Sequence, residues 1–398
     1  MKKGFLCFLL IIFAISVIGC SATKSETGDN AVSDLKNSDK DSSTDLPESI
    51  EFSENDETEK NNVLDGWEEI PKKIADSNND TITFDSLVTV PERFQNGYGE
   101  IWNSEKLIFD ERVLDAFEID EASIVEKDEI ELNDSFLGKY TDFWMKTENG
   151  AELTYGGYYL QYHIPEYFYY TNCINSDERL DDYNMDQYGI NTDLDFMPYQ
   201  EAAEKMKELM DNIGFSVSDQ YICYALDYET LGQQEDCTDV MGEWVEEDAK
   251  GEWTKEDDCY LFEFHQEVEG VPVSKAGYGN MADAGNSNSS IEIFYGVKGI
   301  IGLYITHVYD IQEKLGQTEL LTAADIKELL IANQELIIGG NEIKITDMQL
   351  VLLPISREAG KYELTPVWEI SEEVYYPELD ATDYRTVHFD AGTGQEIA

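Results

Sequence analysis

The 398-residue sequence predicts an α+β fold. A unit of one helix followed by three or more antiparallel strands occurs twice, over 198–316 and 317–398, behind a mixed, β-biased N-terminal region spanning 63–197. Three observations predict it. Apolar residues recur at steps of three and four after Pro198 and again after Thr322, the period of a helix with one buried face. Short runs rich in Val, Ile, Tyr and Phe follow each helix and end at Gly, Asn or Asp, as strands and turns require. A helix followed by an antiparallel meander can bury one sheet face against that helix and leave the other open.

The first twenty residues are an address. Lys2 and Lys3 precede an apolar run from Phe5 to Ile18 that closes in Val17-Ile18-Gly19-Cys20. A run of about 14 residues falls short of the ~20 a bilayer-spanning helix needs. The pattern is a secretory signal ending in a lipobox, so 1–19 are expected to be removed and Cys20 to carry a diacylglyceryl group. The expected location is the extracytoplasmic face of the cell membrane, held there by the lipid. Residues 20–62 are rich in Ser, Thr, Asp, Glu and Asn and read as a disordered acidic tether. A flexible segment of that length reaches roughly 35–40 Å, at ~5–6 Å per square root of residue number.

The folded body begins near Val63. Alternation over Thr81–Val90, stopped by Pro91, predicts a strand, Tyr98–Trp102 a second, and the apolar spacing over Lys106–Ile119 a helix. In the first unit Pro198 opens a helix with Ala202, Ala203, Met206, Leu209, Met210 and Ile213 on one face, and Gly214 closes it. Strands are predicted at Tyr221–Leu226, Cys259–His265, Ile291–Tyr295 and Ile301–Val308. The acidic loop from Glu229 to Asp258 carries Cys237, Trp244 and Trp253 and is long enough to suggest function, with a tolerated surface loop as the plainer reading. In the second unit Thr322 caps a helix with Asp325 three residues on and Ile326, Leu329 and Leu330 on one face. Strands follow at Ile343–Leu353, Tyr362–Ile370 and Arg385–Phe389.

The run His388-Phe389-Asp390-Ala391-Gly392-Thr393-Gly394-Gln395-Glu396-Ile397, with Leu364-Thr365-Pro366-Val367-Trp368-Glu369-Ile370 before it, resembles the C-terminal strand pair of PepSY-type domains and of the extracytoplasmic YycH/YycI regulators. The lipobox, tether and doubled unit also resemble Gram-positive lipoproteins grouped as a family of unknown function. The resemblance covers 198–398 for the fold and 63–398 for the lipoprotein family. It implies two PepSY/YycI-like units and a role in inhibiting proteases or regulating envelope partners. The Yyc regulators act on a sensor kinase; this chain differs in carrying a lipid anchor where they carry a membrane helix. No catalytic residue is implied, because neither group is known as an enzyme.

Composition narrows the partners. With 84 acidic and 27 basic residues the net charge is -57, which repels phosphate backbones and excludes nucleic acid. Asp182, Asn184, Asp186 and Asp193 stand at positions 1, 3, 5 and 12 of a calcium loop, the one cofactor the sequence suggests. Gln187 replaces the usual glycine at position 6, and the plainer reading is a polar loop before the Pro198 helix. Tyr155, Tyr158, Tyr159, Tyr162, Tyr167, Tyr169 and Tyr170 crowd one stretch and are a candidate ligand patch, with strand packing as the plainer reading. Four cysteines remain after Cys7 leaves and Cys20 is lipidated; Cys223 and Cys237 are nearest in sequence and form the expected disulfide, free buried thiols being the alternative. His163 and His265 are acid/base candidates, yet the chain lacks G-x-S-x-G, H-E-x-x-H and P-loop motifs. The expected function is a non-catalytic binding or regulatory module for an envelope protein or peptide. Capture of a solute or wall glycan is the alternative, with a carboxylate-dependent hydrolase behind it.

Overall fold

Short alternating apolar and polar runs recur along the chain, and the described residues form nineteen strands against five α-helices. A computed structural model describes residues 63–397 apart from 65, 68, 77–80, 135–137, 177–182, 239–240, 277–287, 335–339 and 359. The signal, Cys20 and the tether lie outside them. In chain order the first strands are β1 (Lys73–Asp76), β2 (Ile82–Thr89), β3 (Tyr98–Lys106), β4 (Ile124–Asp134), β5 (Gly138–Thr147), β6 (Glu152–Gly156), β7 (Tyr159–His163), β8 (Gly189–Ile190) and β9 (Ile222–Leu226). Then come β10 (Cys259–Glu263), β11 (Glu267–Val268), β12 (Val271–Pro272), β13 (Ser290–Gly296), β14 (Gly299–Thr306), β15 (Tyr309–Glu319), β16 (Glu342–Glu358), β17 (Lys361–Tyr376), β18 (Ala381–Asp390) and β19 (Glu396–Ile397). The helices are α1 (Arg112–Ala116), α2 (Tyr167–Thr171), α3 (Tyr199–Ile213), α4 (Tyr228–Gln234) and α5 (Ala323–Gln334).

Two large sheets organise these elements. The nine-stranded sheet runs β4-β5-β6-β7-β14-β13-β10-β9-β8. The eight-stranded sheet runs β1-β2-β16-β17-β18-β19, with β3 paired to β17 and β15 paired to β3. Among the described residues every pairing is antiparallel except β2 on β16 and an isolated bridge of Val273 to Leu352.

This architecture corrects the expected α+β fold of two successive helix-plus-sheet (PepSY/YycI-like) units. The molecule is mostly β, and both sheets mix strands from 63–197 with strands from the C-terminal half. β14 pairs with β7, β15 leaves its neighbours to pair with β3, and β16 takes β2 as a parallel partner. Period reveals which segments are strands but carries no information on which strand lies beside which.

Local signals fared better. α3 buries all six of the residues that its period selects, against Tyr260, Phe262, Ile293, Leu303 and Ile305 of the nine-stranded sheet. Gly214 ends it at φ 122°, its N–H donating to Met210 O at 2.9 Å. At α5 the Thr322 N–H donates to Asp325 Oδ2 at 2.9 Å and the Asp325 N–H to Thr322 Oγ1 at 3.2 Å, a reciprocal cap. Ile326 then enters the core of the eight-stranded sheet beside Leu364, Trp368 and Ile370. The predicted helix over Lys106–Ile119 shrinks to α1, because Lys106 still belongs to β3.

Candidate functional site

Alternation splits β5, β6, β7, β14 and β13 into two rows that face opposite ways. Phe143, Tyr155, Leu160, Ile305 and Ile291 stand side by side in register and join the core under α3. One residue along each strand, Trp144, Thr154, Gln161, Tyr304 and Glu292 form the opposite row, extended by Glu263 of β10. None of these six is buried. One end of this outer face is closed by α2, whose Tyr167 ring lies where a Cβ on Gly302 would fall.

The outer face is polar, aromatic and acidic. Trp144 Nε1 donates to Glu152 Oε2 at 3.2 Å, and Lys146 Nζ reaches the same carboxylate at 2.7 Å. Lys275 pairs with Glu263 at 2.9 Å, while Glu292 accepts from Ser290 Oγ at 2.6 Å. Protein packed around its carboxyl raises the pKa of Glu292 and Glu263 adds to the rise, against the hydrogen bond from Ser290. In the next row the buried Asp142 accepts from Tyr159 Oη at 3.3 Å through one oxygen. Its other oxygen, and Nδ1 of His307, are buried without a hydrogen-bond partner. Burial raises Asp142, and the His307 ring, stacked on Tyr158 at 4.6 Å, is lowered to about 3 by burial and then by Lys106. Lys106 donates to Tyr309 Oη at 3.0 Å and lies 4.1 and 4.9 Å from the ring centres of Tyr309 and Tyr362. Burial lowers its pKa to about 7.

A second polar cluster joins the two sheets through residues 273–276. Ser274 Oγ donates to Glu369 Oε2, which His388 Nε2 also contacts at 2.8 Å, and Gln349 Nε2 donates to Glu369 Oε1 at 2.7 Å. Burial alone would raise Glu369, but the hydrogen bonds from His388, Ser274 and Gln349 outweigh it and hold the carboxyl low. Ser274 lies 3.4 Å from the same His388 nitrogen that meets Glu369. The Ser274 hydroxyl and the His388 imidazole therefore share one carboxylate oxygen of Glu369.

The structure disperses the sequence-derived sites. Tyr155 is buried against Phe143 in the inner row, Tyr162 stacks on Phe117, and Tyr170 is buried with its hydroxyl on Asp257 O. Tyr167 and Tyr169 belong to α2, which leaves Tyr158 and Tyr159 at the outer face. Asp182 lies outside the described residues. Asn184 points its amide at Cys173 O and Gln234, Asp186 is bound by Gln187, and Asp193 accepts the Tyr199 N–H at the start of α3. Among the described residues no three His, Cys, Asp or Glu side chains converge as a metal site.

The expected Cys223–Cys237 disulfide is not formed: Cys173, Cys223, Cys237 and Cys259 are free and buried. β9 turns Cys223 into the core under α3, whereas Cys237 lies beside Asn172, whose Nδ2 is 3.5 Å from its sulfur. His163 stacks on Tyr167, and His265 meets Val273 O through Nδ1. Asp142, His307, Lys106 and the Ser274 cluster escape sequence reasoning, because no short motif carries them.

No family model matches the chain, and no curated protein matches it. It is similar in structure to an uncharacterized protein from Eubacterium rectale ATCC 33656, known from a crystal structure, with a TM-score of 0.62 over 82% of this chain and 94% of that one. At 17% sequence identity the likeness shows a shared fold and nothing further.

Proposed function

We propose that this chain is a non-catalytic binding module of the cell envelope, anchored through a lipid on Cys20 and presenting the outer face of its nine-stranded sheet to a protein or peptide. The observation that carries the reading is that face: Trp144, Thr154, Gln161, Tyr304, Glu292 and Glu263 lie in one register row, none of them buried, with aromatic rings and hydrogen-bonding groups interleaved. Aromatic residues supply contact area at low entropic cost, and polar neighbours fix the register of what lies on them. The lipobox and tether support the location.

Chemical cross-linking of the intact lipoprotein on living cells, read by mass spectrometry against a Cys20→Ala control, tests the proposal. The expected result is a dominant envelope protein that is lost in the control and reduced severalfold by Trp144→Ala with Tyr304→Ala. Recovery of no protein partner, or of the same partner from the double variant at full yield, overturns the assignment to this face.

A further inference from the structure

The nine-stranded sheet ends in an edge unlike the rest of its surface. β4 pairs with β5 on one side and, among the described residues, with no strand on the other. From Val125 to Asn133 every residue is exposed. Such an edge presents a row of backbone N–H and C=O groups ready to pair with an added chain. Its register places Asp128, Ile130 and Leu132 opposite Trp144, Asp142 and Tyr140, on the side of the outer face. Glu129 and Glu131 stand on the other side, opposite Phe143 and Thr141. Val125, Ile130 and Leu132 are 55%, 39% and 36% exposed, apolar residues that an edge kept purely against pairing has no use for.

Charge selects the occupant. The strand holds Glu126, Asp128, Glu129, Glu131 and Asp134 against the single Lys127. A second copy of β4 would set these acids against one another, and the chain's own segment 20–62 holds 12 acidic residues and four lysines. Like charges laid directly opposite destabilise a strand pair, whereas opposite charges stabilise it by roughly 0.2–1 kcal/mol each. Acids on an edge turn away acidic neighbours and favour basic ones.

We propose that β4 takes up an extended, basic polypeptide strand, which adds to the sheet with its lysine or arginine side chains over Glu129 and Glu131 and its apolar side chains over Ile130 and Leu132. This rests on the binding role argued above and names the chemistry of the partner. Amide hydrogen exchange of the full-length Cys20→Ala protein tests it, at about 0.15 M salt to screen diffuse attraction. The probe is a ten-residue peptide of alternating lysine and valine, with an alternating glutamate and valine peptide as control.

The lysine peptide is expected to slow exchange at least tenfold at alternate amides between Val125 and Asn133, and the glutamate peptide to leave them unchanged. Glu129→Lys with Glu131→Lys should weaken binding tenfold or more. Glu246→Lys with Glu247→Lys, the same charge change on exposed loop residues, should not. Absence of binding, equal effects of the two peptides, equal losses in the two double variants, or protection confined to other strands each overturns the edge assignment. If the cell-surface cross-linking still yields a partner sensitive to Trp144 and Tyr304, the binding role stands without it; if that fails too, both fall.

Discussion

The two faces of the nine-stranded sheet are built from the same strands and end in opposite environments. On β7, Leu160 is fully buried under α3 while its neighbour Gln161 lies on the outer face between Thr154 and Tyr304. Intrinsic strand preference is shared by both rows, so the difference lies in what each row packs against. One face is defined by excluding water around α3, and the other by holding polar and aromatic groups at a surface. Stability should therefore depend on the first face and binding on the second.

The largest effect expected is on the inner row. Leu160→Ala should cost about 2–5 kcal/mol, through lost burial and the cavity left behind. Gln161→Ala, one residue along the same strand, should stay within about 0.5 kcal/mol. Denaturant midpoints of the two variants measure the contrast directly, and equal midpoints would remove the distinction between the faces.

A polar face is not always an open one. On the eight-stranded sheet Glu369 and His388 are shielded beneath Ser274, and Asp347 is raised from 3.8 to about 6, first by burial and then by the charge of Glu369. Between about pH 4 and 6 the folded state then keeps a proton that the unfolded chain has released, so this carboxyl's contribution to stability falls as pH rises through that window. Asp347→Asn removes the titration. Relative to the native protein it should gain about 1–3 kcal/mol at pH 7, at ~1.4 kcal/mol per unit, and little or nothing at pH 4. Thermal or denaturant unfolding at the two pH values reads the difference; the opposite sign would show that Asp347 is held as a carboxylate. Lys106, lowered to about 7, has the complementary signature. Lys106→Met should stabilise most below pH 7 and progressively less up to about pH 10.5, as the unfolded chain loses its own proton.

The boundary between open and covered parts of the outer face rests on Gly302. A Cβ there would overlap the Tyr167 ring, so Gly302→Ala must push α2 away from the sheet. Overpacking of this kind costs about 1–3 kcal/mol. The tyrosine fluorescence of α2 should change with it, while the Trp144 end of the face keeps its ligand response.

What was legible in the sequence follows from the range of each signal. α3, with its six buried residues and Gly214, and the Thr322–Asp325 cap depend on residues within four positions of one another, and they were read correctly. The strands β2 and β3 were also found, because alternation is local. Sheet membership was not, since the parallel pairing of β2 with β16 joins residues some 260 positions apart and leaves no trace in either segment. The tyrosines show the same limit in miniature: strand alternation and α2 send neighbouring tyrosines to different faces. Orphaned groups such as Asp142 become visible only once β5, β6 and β7 are side by side.

The smallest effect expected isolates the local signal from its tertiary setting. Thr322→Ala removes the two bonds that the Thr322 hydroxyl makes with Asp325, leaving the Thr322 N–H on the Asp325 carboxylate, and should cost about 1 kcal/mol. That loss arises at the helix end, whichever sheet the helix covers, so it should add to the cost of Leu160→Ala within about 0.5 kcal/mol in the double variant. Leu160 belongs to the core under α3, whereas the helix that Thr322 caps places Ala323, Ile326 and Leu330 in the other core. A larger interaction energy would mean that the two sites are energetically coupled, through contacts such as the Ser274 junction, and the independence of the inner face from the rest of the fold would have to be given up.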